Sequence, residues 1–372
     1  VAKDEVDHFY RIYKIYDAEF DTLEQSMRET LAMVLISPKF LYHMVIDDAV
    51  ATKPYELASR LSYFLWGSMP DKELFDLAAS GKLNDPAVIE TQTRRLLADK
   101  RAVGFVGNFT AQWLSIAKMK TVNINHDLFP RFLYTVHLGE RRGQEQLFRP
   151  TIRDYMHEET VGFISELIRN NASVMNIVDS SFAYLNEPLA VHYGVGGVEG
   201  LKFRAVPIKP EHRLGGLLTQ GSVLVGNSTG SAPHPIYRAV WLREAILGDK
   251  VKPPPAEVPA LSDSAGDSAD EAVSIKNLLA LHRKQESCYD CHVRLDPWGI
   301  PFERYSAVGK YQPLIPKDKV RVRGFNPKQD QTLAGYQAYL KSVYTEEVEA
   351  SSRVPHGPAV DGMEELKKYL LK

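Results

Sequence analysis

The chain contains only two cysteines, and two residues separate them. Cys288 and Cys291 lie in the run SCYDCH, in which His292 follows the second cysteine directly. This pair constrains the fold more than any other feature of the 372 residues. Hydrophobic residues make up 44% of the chain and charged residues 25%, which is typical of a globular protein that can bury sizeable cores.

The pentapeptide matches the C-x-x-C-H signature by which c-type haem is attached. Two thiols one helical turn apart can reach two vinyl groups on one edge of a porphyrin, and the adjacent imidazole can ligate the iron. Random placement would give this pattern only about 2 times in 10,000. We therefore predict one covalently attached haem c, bound through Cys288 and Cys291, with His292 as the proximal iron ligand.

Three other interpretations of the cysteine pair stay open. A zinc half-site needs a second pair of ligands, and the sequence has neither another cysteine pair nor a His-x(3–5)-His spacing. A thioredoxin-like dithiol needs a strand before the motif and a helix after it, whereas the sequence predicts a helix at 271–284 and a turn at Asp296–Gly299. A disulfide across two residues is strained and closes almost no loop.

The first half of the sequence has the apolar periodicity of helices. Asp21 is predicted to cap a helix whose apolar stripe runs from Leu23 to Leu35, Pro54 opens the next, and Asp71 caps a third. Further helices are predicted at 86–98, 101–117 and about 151–169.

Glycine and proline become dense after about residue 180. The segment Val251–Pro259 is predicted to be a stiff connector because it is rich in proline. Predicted elements in this half are a helix over Ile236–Leu247, a helix over 271–284, a short strand over Val320–Val322, a helix over Gly335–Tyr344 and a final helix from near Asp361.

These patterns predict a mainly α fold: a helical N-terminal domain is followed by a loop-rich, mostly helical c-type haem-binding region. The predicted domains are the tail of a preceding helical domain (1–48), a helical domain (49–185), a loop-rich domain ending in the C-x-x-C-H segment (186–310), and an extension with the start of a truncated C-terminal domain (311–372).

Several longer stretches are characteristic in their order. They are ELASRLSYFLWGSMPDKELFDLAASGKL with FVGNFTAQWL, then LNEPLAVHYGV with RLGGLLTQGSVLVGNSTGSAPHPIYRAVWLREAILG, then SCYDCHVRLDPWGIPFERYSAVGKYQ and SSRVPHGPAVDGMEELKKYLL. Over about residues 20–372 the chain resembles planctomycete-type cytochrome c proteins. These are large exported proteins built of consecutive domains of unknown function.

The resemblance implies covalent haem and export, and thioether attachment itself takes place on the outer face of the cytoplasmic membrane. We therefore expect a periplasmic or otherwise extracytoplasmic location. Members of the family usually continue beyond the DGMEELKK segment and often begin with further domains. Because this chain begins at Val1 rather than at Met, we expect a fragment, a processed product or the ordered part of a longer protein, which can associate with its missing parts or with other chains.

The second axial ligand of the iron has several candidates. His234 lies between two prolines in SAPHPIY, which restrict its backbone and favour it as the distal ligand. The alternative is that His234 only caps the helix beginning near Ile236. His282 precedes the motif on the predicted helix 271–284, and His356 and Met363 lie downstream, where small cytochromes c find their distal ligand. A vacant or water-bound position is the remaining alternative.

Two residues close to the motif are predicted to contact the haem. Trp298 can pack on the porphyrin or form a wall of its pocket, although a core aromatic after a turn is the simpler interpretation. Arg294 can pair with a haem propionate, or it can be an ordinary solvated arginine.

Charge and hydropathy exclude several kinds of partner. The net charge is -2 and no basic cluster is evident, so no nucleic-acid partner is expected. No apolar run approaches the ~20 residues that span a bilayer. Three functions remain: electron transfer with a redox partner protein, haem-dependent oxidoreductase chemistry on peroxide or oxygen at an open iron site, and a non-enzymatic partner- or glycan-binding module with structural haem.

Overall fold

The computed structural model describes residues 3–42, 53–125, 129, 132, 150–252, 279, 286–316 and 344–372. The chain divides into two compact units, 1–105 and 106–372. The fold is mainly helical, as predicted, and the strands of the described residues form three two-stranded antiparallel sheets. The predicted domain boundaries at 48, 185 and 310 stay predictions.

The helices are α1 (Lys3–Glu19), α2 (Leu23–Leu35), α3 (Pro38–Leu41), α4 (Lys53–Trp66), α5 (Lys72–Ala79), α6 (Pro86–Ala98), α7 (Ala102–Leu114), α8 (Lys118–Thr121), α9 (Ile152–Arg169), α10 (Glu187–Tyr193), α11 (Gly221–Gly226), α12 (Pro235–Trp241), α13 (Glu286–Gly299) and α14 (Gly362–Leu370). Short 3-10 turns cover Lys82–Asn84, Val174–Ile177, Pro210–His212, Leu217–Thr219 and Ile300–Phe302, and a π-helical turn covers Leu242–Ile246. The sheets pair β1 (Phe182–Leu185) with β2 (Arg204–Pro207), β3 (Leu314–Pro316) with β4 (Tyr344–Glu347), and β5 (Ser351–Arg353) with β6 (Ala359–Asp361).

Side-chain caps begin several helices of the first unit. Asp71 accepts a hydrogen bond from the Leu74 N–H, as its position predicts. The prediction of Asp21 as the cap of α2 is wrong, because the side chain of the next residue, Thr22, accepts from the Gln25 N–H. A Thr side chain directly before the first helical residue has the geometry to bond that N–H.

The core of the first unit forms among α4, α5 and α6. Its buried members are Ala58, Leu65, Trp66, Leu74, Ala78, Leu83 and Leu96. The indole of Trp66 donates to the Leu96 carbonyl at 2.9 Å, so the largest core side chain is also satisfied as a donor. The predicted apolar stripe of α2 is not part of this core, since Leu23 is 65% and Leu31 54% exposed.

The second unit is organised around α9. A capping box begins this helix, because the Thr151 side chain accepts from the Asp154 N–H and the Asp154 carboxylate accepts from the Thr151 N–H. Buried side chains of α9 pack with β1, α10 and α11. The shared core contains Met119, Ile152, Tyr155, Met156, Ala183, Leu185, Leu189, Ala190, Tyr193, Val225 and Val308, among others.

The helix that carries the cysteine motif is longer than the sequence predicts. The predicted turn at Asp296–Gly299 is wrong, because α13 continues through Pro297 to Gly299. Proline removes one helical hydrogen bond and its ring crowds the carbonyl four residues before it, so the tertiary packing of α13 must offset this cost. The predicted helix at 271–284 lies outside the described residues apart from Leu279, which is helical. The predicted strand Val320–Val322 and the predicted helix Gly335–Tyr344 also lie outside, apart from Tyr344, which begins β4.

A buried arginine holds the chain that follows α13. Arg238 of α12 is 0% exposed, and its guanidinium donates to the carbonyls of Phe302, Tyr305 and Ser306 at 2.7–3.0 Å. A fourth bond reaches the Leu224 carbonyl at 3.3 Å. Burial lowers the pKa of Arg238 to about 10, so the group keeps its charge at neutral pH. These carbonyl contacts connect α11, α12 and the segment after the motif helix.

We predict that Gly299→Ala destabilises the second unit. Helices α12 and α13 pack closely where Gly299 meets Pro235, and a Cβ at Gly299 would overlap the Pro235 carbonyl oxygen. Because backbone rather than a flexible side chain blocks that space, the free energy of unfolding should fall by at least about 1–3 kcal/mol. Chemical denaturation measures this change.

Gly196→Ala is the matched control, because nothing lies within 4 Å of a Cβ at that position and its φ is not in the left-handed region. Equal stability of the two variants would contradict the close packing of α12 and α13.

Candidate haem-attachment site

All three residues of the predicted attachment motif lie on one helix. The range of α13 includes Cys288, Cys291 and His292, so the two cysteines are separated by about one helical turn, as haem attachment requires. The side chains of the two cysteines lie outside the described part of the molecule. The side chain of His292 is described and is largely buried, at 14% exposure.

His292 is paired with a buried carboxylate that the sequence analysis did not identify. Its Nδ1 lies 2.8 Å from Oδ1 of Asp296, four residues further along α13. Asp296 is 0% exposed. Residues four apart on a helix are neighbours, so the spacing His-x-x-x-Asp was the signal available in the sequence. This spacing was not recognised because the dipeptide Asp296-Pro297 is typical of a turn, and a turn was predicted there instead of a helix.

This contact has the form found around metal-binding histidines. When Nδ1–H of an imidazole donates to a carboxylate, the ring is fixed in the tautomer whose lone pair is on Nε2, the nitrogen that ligates a metal. The carboxylate also restrains the rotation of the ring. The donor set of α13 therefore fits a haem whose iron takes its proximal ligand from His292.

Buried apolar residues lie close to the pair in the chain. Leu295, Ile300 and Phe302 are buried beside it in the chain. Burial of a carboxylate is costly unless hydrogen bonds compensate, so the bond to His292 contributes directly to the stability of this helix. The Ser352 hydroxyl donates to the carbonyl of Pro297 at 2.7 Å and ties β5 to the end of α13.

The two predicted haem contacts differ in their surroundings. Trp298 is partly buried, and its ring centroid lies 6.3 Å from that of Tyr369 of α14 in a tilted arrangement. Arg294 is exposed on α13. Their contacts with a haem stay predictions.

His234 is the N-cap of α12, which was the alternative to a ligand role. Its Nδ1 accepts a hydrogen bond from the Tyr237 N–H at 3.2 Å, and its ring stacks on the Tyr237 ring at 3.7 Å. Burial, with a smaller contribution from Arg238, lowers the pKa of His234 to about 4, so the ring is neutral near pH 7. With the Nδ1 lone pair occupied by the cap, the ring proton is on Nε2. Ligation of iron would require the cap to open.

The other candidates for the distal position are distributed over the C-terminal part. Met363 is buried in α14, the helix that packs against Ile300–Phe302. His356 is exposed, with a φ of 58°. His282 lies outside the described residues.

A second buried carboxyl lies in the core of this unit, on α9. Glu159 is 1% exposed, and the Tyr193 hydroxyl donates to its Oε2 at 2.7 Å. That hydroxyl also accepts from the Gly221 N–H at 2.8 Å. Burial raises the pKa of Glu159 to about 8, an effect that the Tyr193 hydrogen bond only partly opposes. Sequence analysis missed this pair because its members are far apart in the chain.

Two parts of the chain match models of known families. Residues 52–195 match the model described as PSD4, protein of unknown function (DUF1592), and residues 214–314 match the model described as PSCyt3, protein of unknown function (DUF1588). Both are planctomycete cytochrome c-type domains, consistent with the resemblance of the sequence, and they support a haem protein at this coarse level. The second range includes the C-x-x-C-H pentapeptide.

The chain has no match among curated proteins or among solved structures. Of the helices in the described residues, none combines the length and the apolar character needed to cross a bilayer.

We predict that the cap role of His234 can be separated from a ligand role by two substitutions. His234→Ala removes the side-chain cap and should lower the free energy of unfolding by about 1 kcal/mol, whereas His234→Asn should keep most of it, since Asn is a good N-cap. Neither side chain can replace imidazole on iron. Chemical denaturation measures the cap, and the ferric optical spectrum measures the spin state.

A low-spin wild type that becomes high-spin in both variants would identify His234 as the distal ligand. Spectra that are unchanged in both variants would show that His234 caps α12 and does not ligate the iron.

We also predict that the free energy of unfolding falls as the pH rises from about 4.5 to about 8. In this range Glu159 is protonated in the folded protein and ionised in the unfolded chain. The unfolded carboxyl releases its proton near the usual pKa of 4.5, whereas the folded one keeps it up to about pH 8. Unfolding therefore releases a proton between these values, and the contribution of Glu159 is full below about pH 4.5 and is lost by about pH 8. Glu159→Gln, which can still accept from Tyr193, should flatten this dependence.

The measurement is the free energy of unfolding at several pH values from about 5 to about 8. The control is Glu199→Gln, an exposed position in the same unit, which should leave the slope unchanged. Equal slopes for Glu159→Gln and wild type would show that Glu159 is not the group responsible.

Proposed function

We propose that this chain binds one covalent haem c through Cys288 and Cys291, with His292 as proximal ligand, and transfers electrons outside the cytoplasm. The observation that supports this most is the hydrogen bond between His292 Nδ1 and the buried carboxylate of Asp296. The same pair is expected where the imidazole ligates a metal.

Each residue has a separate part in this proposal. The two cysteines attach the porphyrin, His292 ligates the iron and Asp296 holds the imidazole in one tautomer and orientation. A bound haem supplies reversible one-electron chemistry. The chain sets the potential of that chemistry through the axial ligands, their hydrogen bonds and the burial of the site.

Location and partner follow from the proposed attachment. Thioether bonds to haem form outside the cytoplasm, and the two matched domain types agree with an extracytoplasmic protein. A single haem needs a donor and an acceptor, so we expect a redox partner protein. The net charge of -2 argues against nucleic acid as that partner.

Haem-dependent oxidoreductase chemistry is the second candidate, and the cap of His234 favours it by removing one candidate for the distal ligand. If the Nδ1 cap persists in the holoprotein, this imidazole does not reach the iron as a ligand. An iron with an open position can bind peroxide or oxygen. A high-spin ferric spectrum of the wild type supports this candidate, and a low-spin, six-coordinate spectrum supports electron transfer.

We predict that replacement of both cysteines by alanine abolishes covalent haem. The wild type, produced with a c-type haem attachment system, should have an intact mass that exceeds the polypeptide mass by one haem. The double variant Cys288→Ala, Cys291→Ala should have the polypeptide mass alone, because no thioether can form. Mass spectrometry under denaturing conditions measures this difference.

Tyr289→Ala is the matched control, since Tyr289 lies between the cysteines on the same helix and is half-exposed. It should retain the haem. A wild type with free thiols and no added mass would refute covalent haem attachment and would favour a non-enzymatic binding module over both redox functions.

A further inference from the structure

The carboxylate beside His292 carries an inference beyond attachment, and it rests on the proposed function. Asp296 Oδ1 lies 2.8 Å from Nδ1 of the proposed proximal ligand, and the residue is fully buried. A hydrogen bond from a proximal histidine to a neutral backbone carbonyl would also fix its tautomer. An ionised acceptor does more, because charge-assisted hydrogen bonds are roughly twice as strong as neutral ones.

We propose that Asp296 is a positioning residue that makes His292 a strongly electron-donating ligand and thereby lowers the reduction potential of the haem. A carboxylate that accepts Nδ1–H draws the proton away from the ring and gives the imidazole partial anionic character. An anionic ligand stabilises ferric iron, which has one more positive charge than ferrous iron. The ferric state is therefore favoured in the equilibrium between the two.

Burial strengthens this effect. Asp296 lies between Leu295 and Pro297 in a segment whose neighbours Gly299 and Ile300 are also buried. In such surroundings the effective dielectric constant is far below that of water, so the carboxylate acts on the imidazole with little screening. An exposed carboxylate at the same distance would exchange its hydrogen bond with solvent.

The helix also fixes the carboxylate in place. Gly299 is packed against the carbonyl of Pro235, and the Ser352 hydroxyl is bonded to the carbonyl of Pro297, the residue directly after Asp296. Arg238 holds the carbonyls of Phe302 and Tyr305 just beyond. These contacts hold the end of α13 and restrain Asp296 beside His292. A fixed acceptor is the condition for a constant effect on the ligand.

The experiment measures the reduction potential of the holoprotein and of Asp296→Asn. The amide has the shape of the carboxylate but no charge, so it should weaken the donation by His292. Loss of a metal ligand's hydrogen-bonding partner typically costs about 10–100-fold in metal affinity or activity. By the same order of magnitude, we expect the equilibrium to shift toward ferrous iron by about tenfold. For one electron, tenfold corresponds to about 59 mV.

Two further variants make the result specific. Asp290→Asn removes a carboxylate from the same helix at a position two residues before His292, and residues two apart on a helix do not face each other. Its potential should stay near that of the wild type. Asp296→Glu retains a carboxylate that can still reach the ring, and its potential should lie closer to the wild type than that of Asp296→Asn.

A second readout does not depend on the stability of the variants. The iron–histidine stretching band is seen in the resonance Raman spectrum of five-coordinate ferrous haem. In that state of the wild type it should lie at the high frequency typical of an imidazole bonded to a carboxylate, and it should fall in Asp296→Asn. Where the ferrous iron is six-coordinate, the reduction potentials of the variants decide. A wild-type band at the frequency of a neutral imidazole would overturn the proposal even if no variant folds. A potential that shifts equally in Asp290→Asn and Asp296→Asn would also overturn it.

Failure of the proposed function looks different. If the wild type carries no covalent haem, the mass spectrum shows this before any potential is measured, and both proposals fall. If the haem mass is present and the potential of Asp296→Asn is unchanged, haem attachment stands and only the role of Asp296 is refuted.

Discussion

The packing of α12 against α13 is the contact on which the candidate site depends. Gly299 lies so close to the Pro235 carbonyl that no Cβ fits, and Arg238 of the same helix holds the carbonyls of the segment after α13. A buried guanidinium is costly unless its donors are satisfied, and these three carbonyls together with that of Leu224 accept four hydrogen bonds from Arg238. The arginine thus connects the backbone after α13 to α12 through carbonyls that it holds directly.

Local chemistry predicted much of the helical structure. Asp71 and the final helix near Asp361 were recognisable because capping and periodicity depend on neighbouring residues only. The error at Asp21 and Thr22 has the same origin, since both residues are good caps and propensity alone does not choose between adjacent ones. The exposure of Leu23 and Leu31 could not be predicted in this way, because periodicity shows that a helix has an apolar face but not which element packs on that face.

The sequence predicted the residues of the candidate site that are adjacent in the chain, but not their partners. The C-x-x-C-H pattern is contiguous, so the sequence alone revealed the proposed ligands. Asp296 was missed because the residue before proline usually leaves the helical region, whereas tertiary packing here keeps the helix intact through Pro297. Arg238 and Glu159 were missed because their partners are distant in the chain, and no local signal marks a buried charge or a buried neutral acid.

His234 and His292 differ in the hydrogen bond that Nδ1 makes, and this bond determines whether the ring caps a helix or can ligate a metal. His234 accepts through Nδ1, so its proton is on Nε2 and the ring acts as a helix cap. In His292, Nδ1 faces a carboxylate, which favours a proton on Nδ1 and makes Nε2 the nitrogen of the proposed iron bond. The partner of Nδ1 is a backbone donor in one case and an anionic acceptor in the other. The surrounding fold therefore selects the tautomer, and the tautomer determines which ring is able to bind a metal.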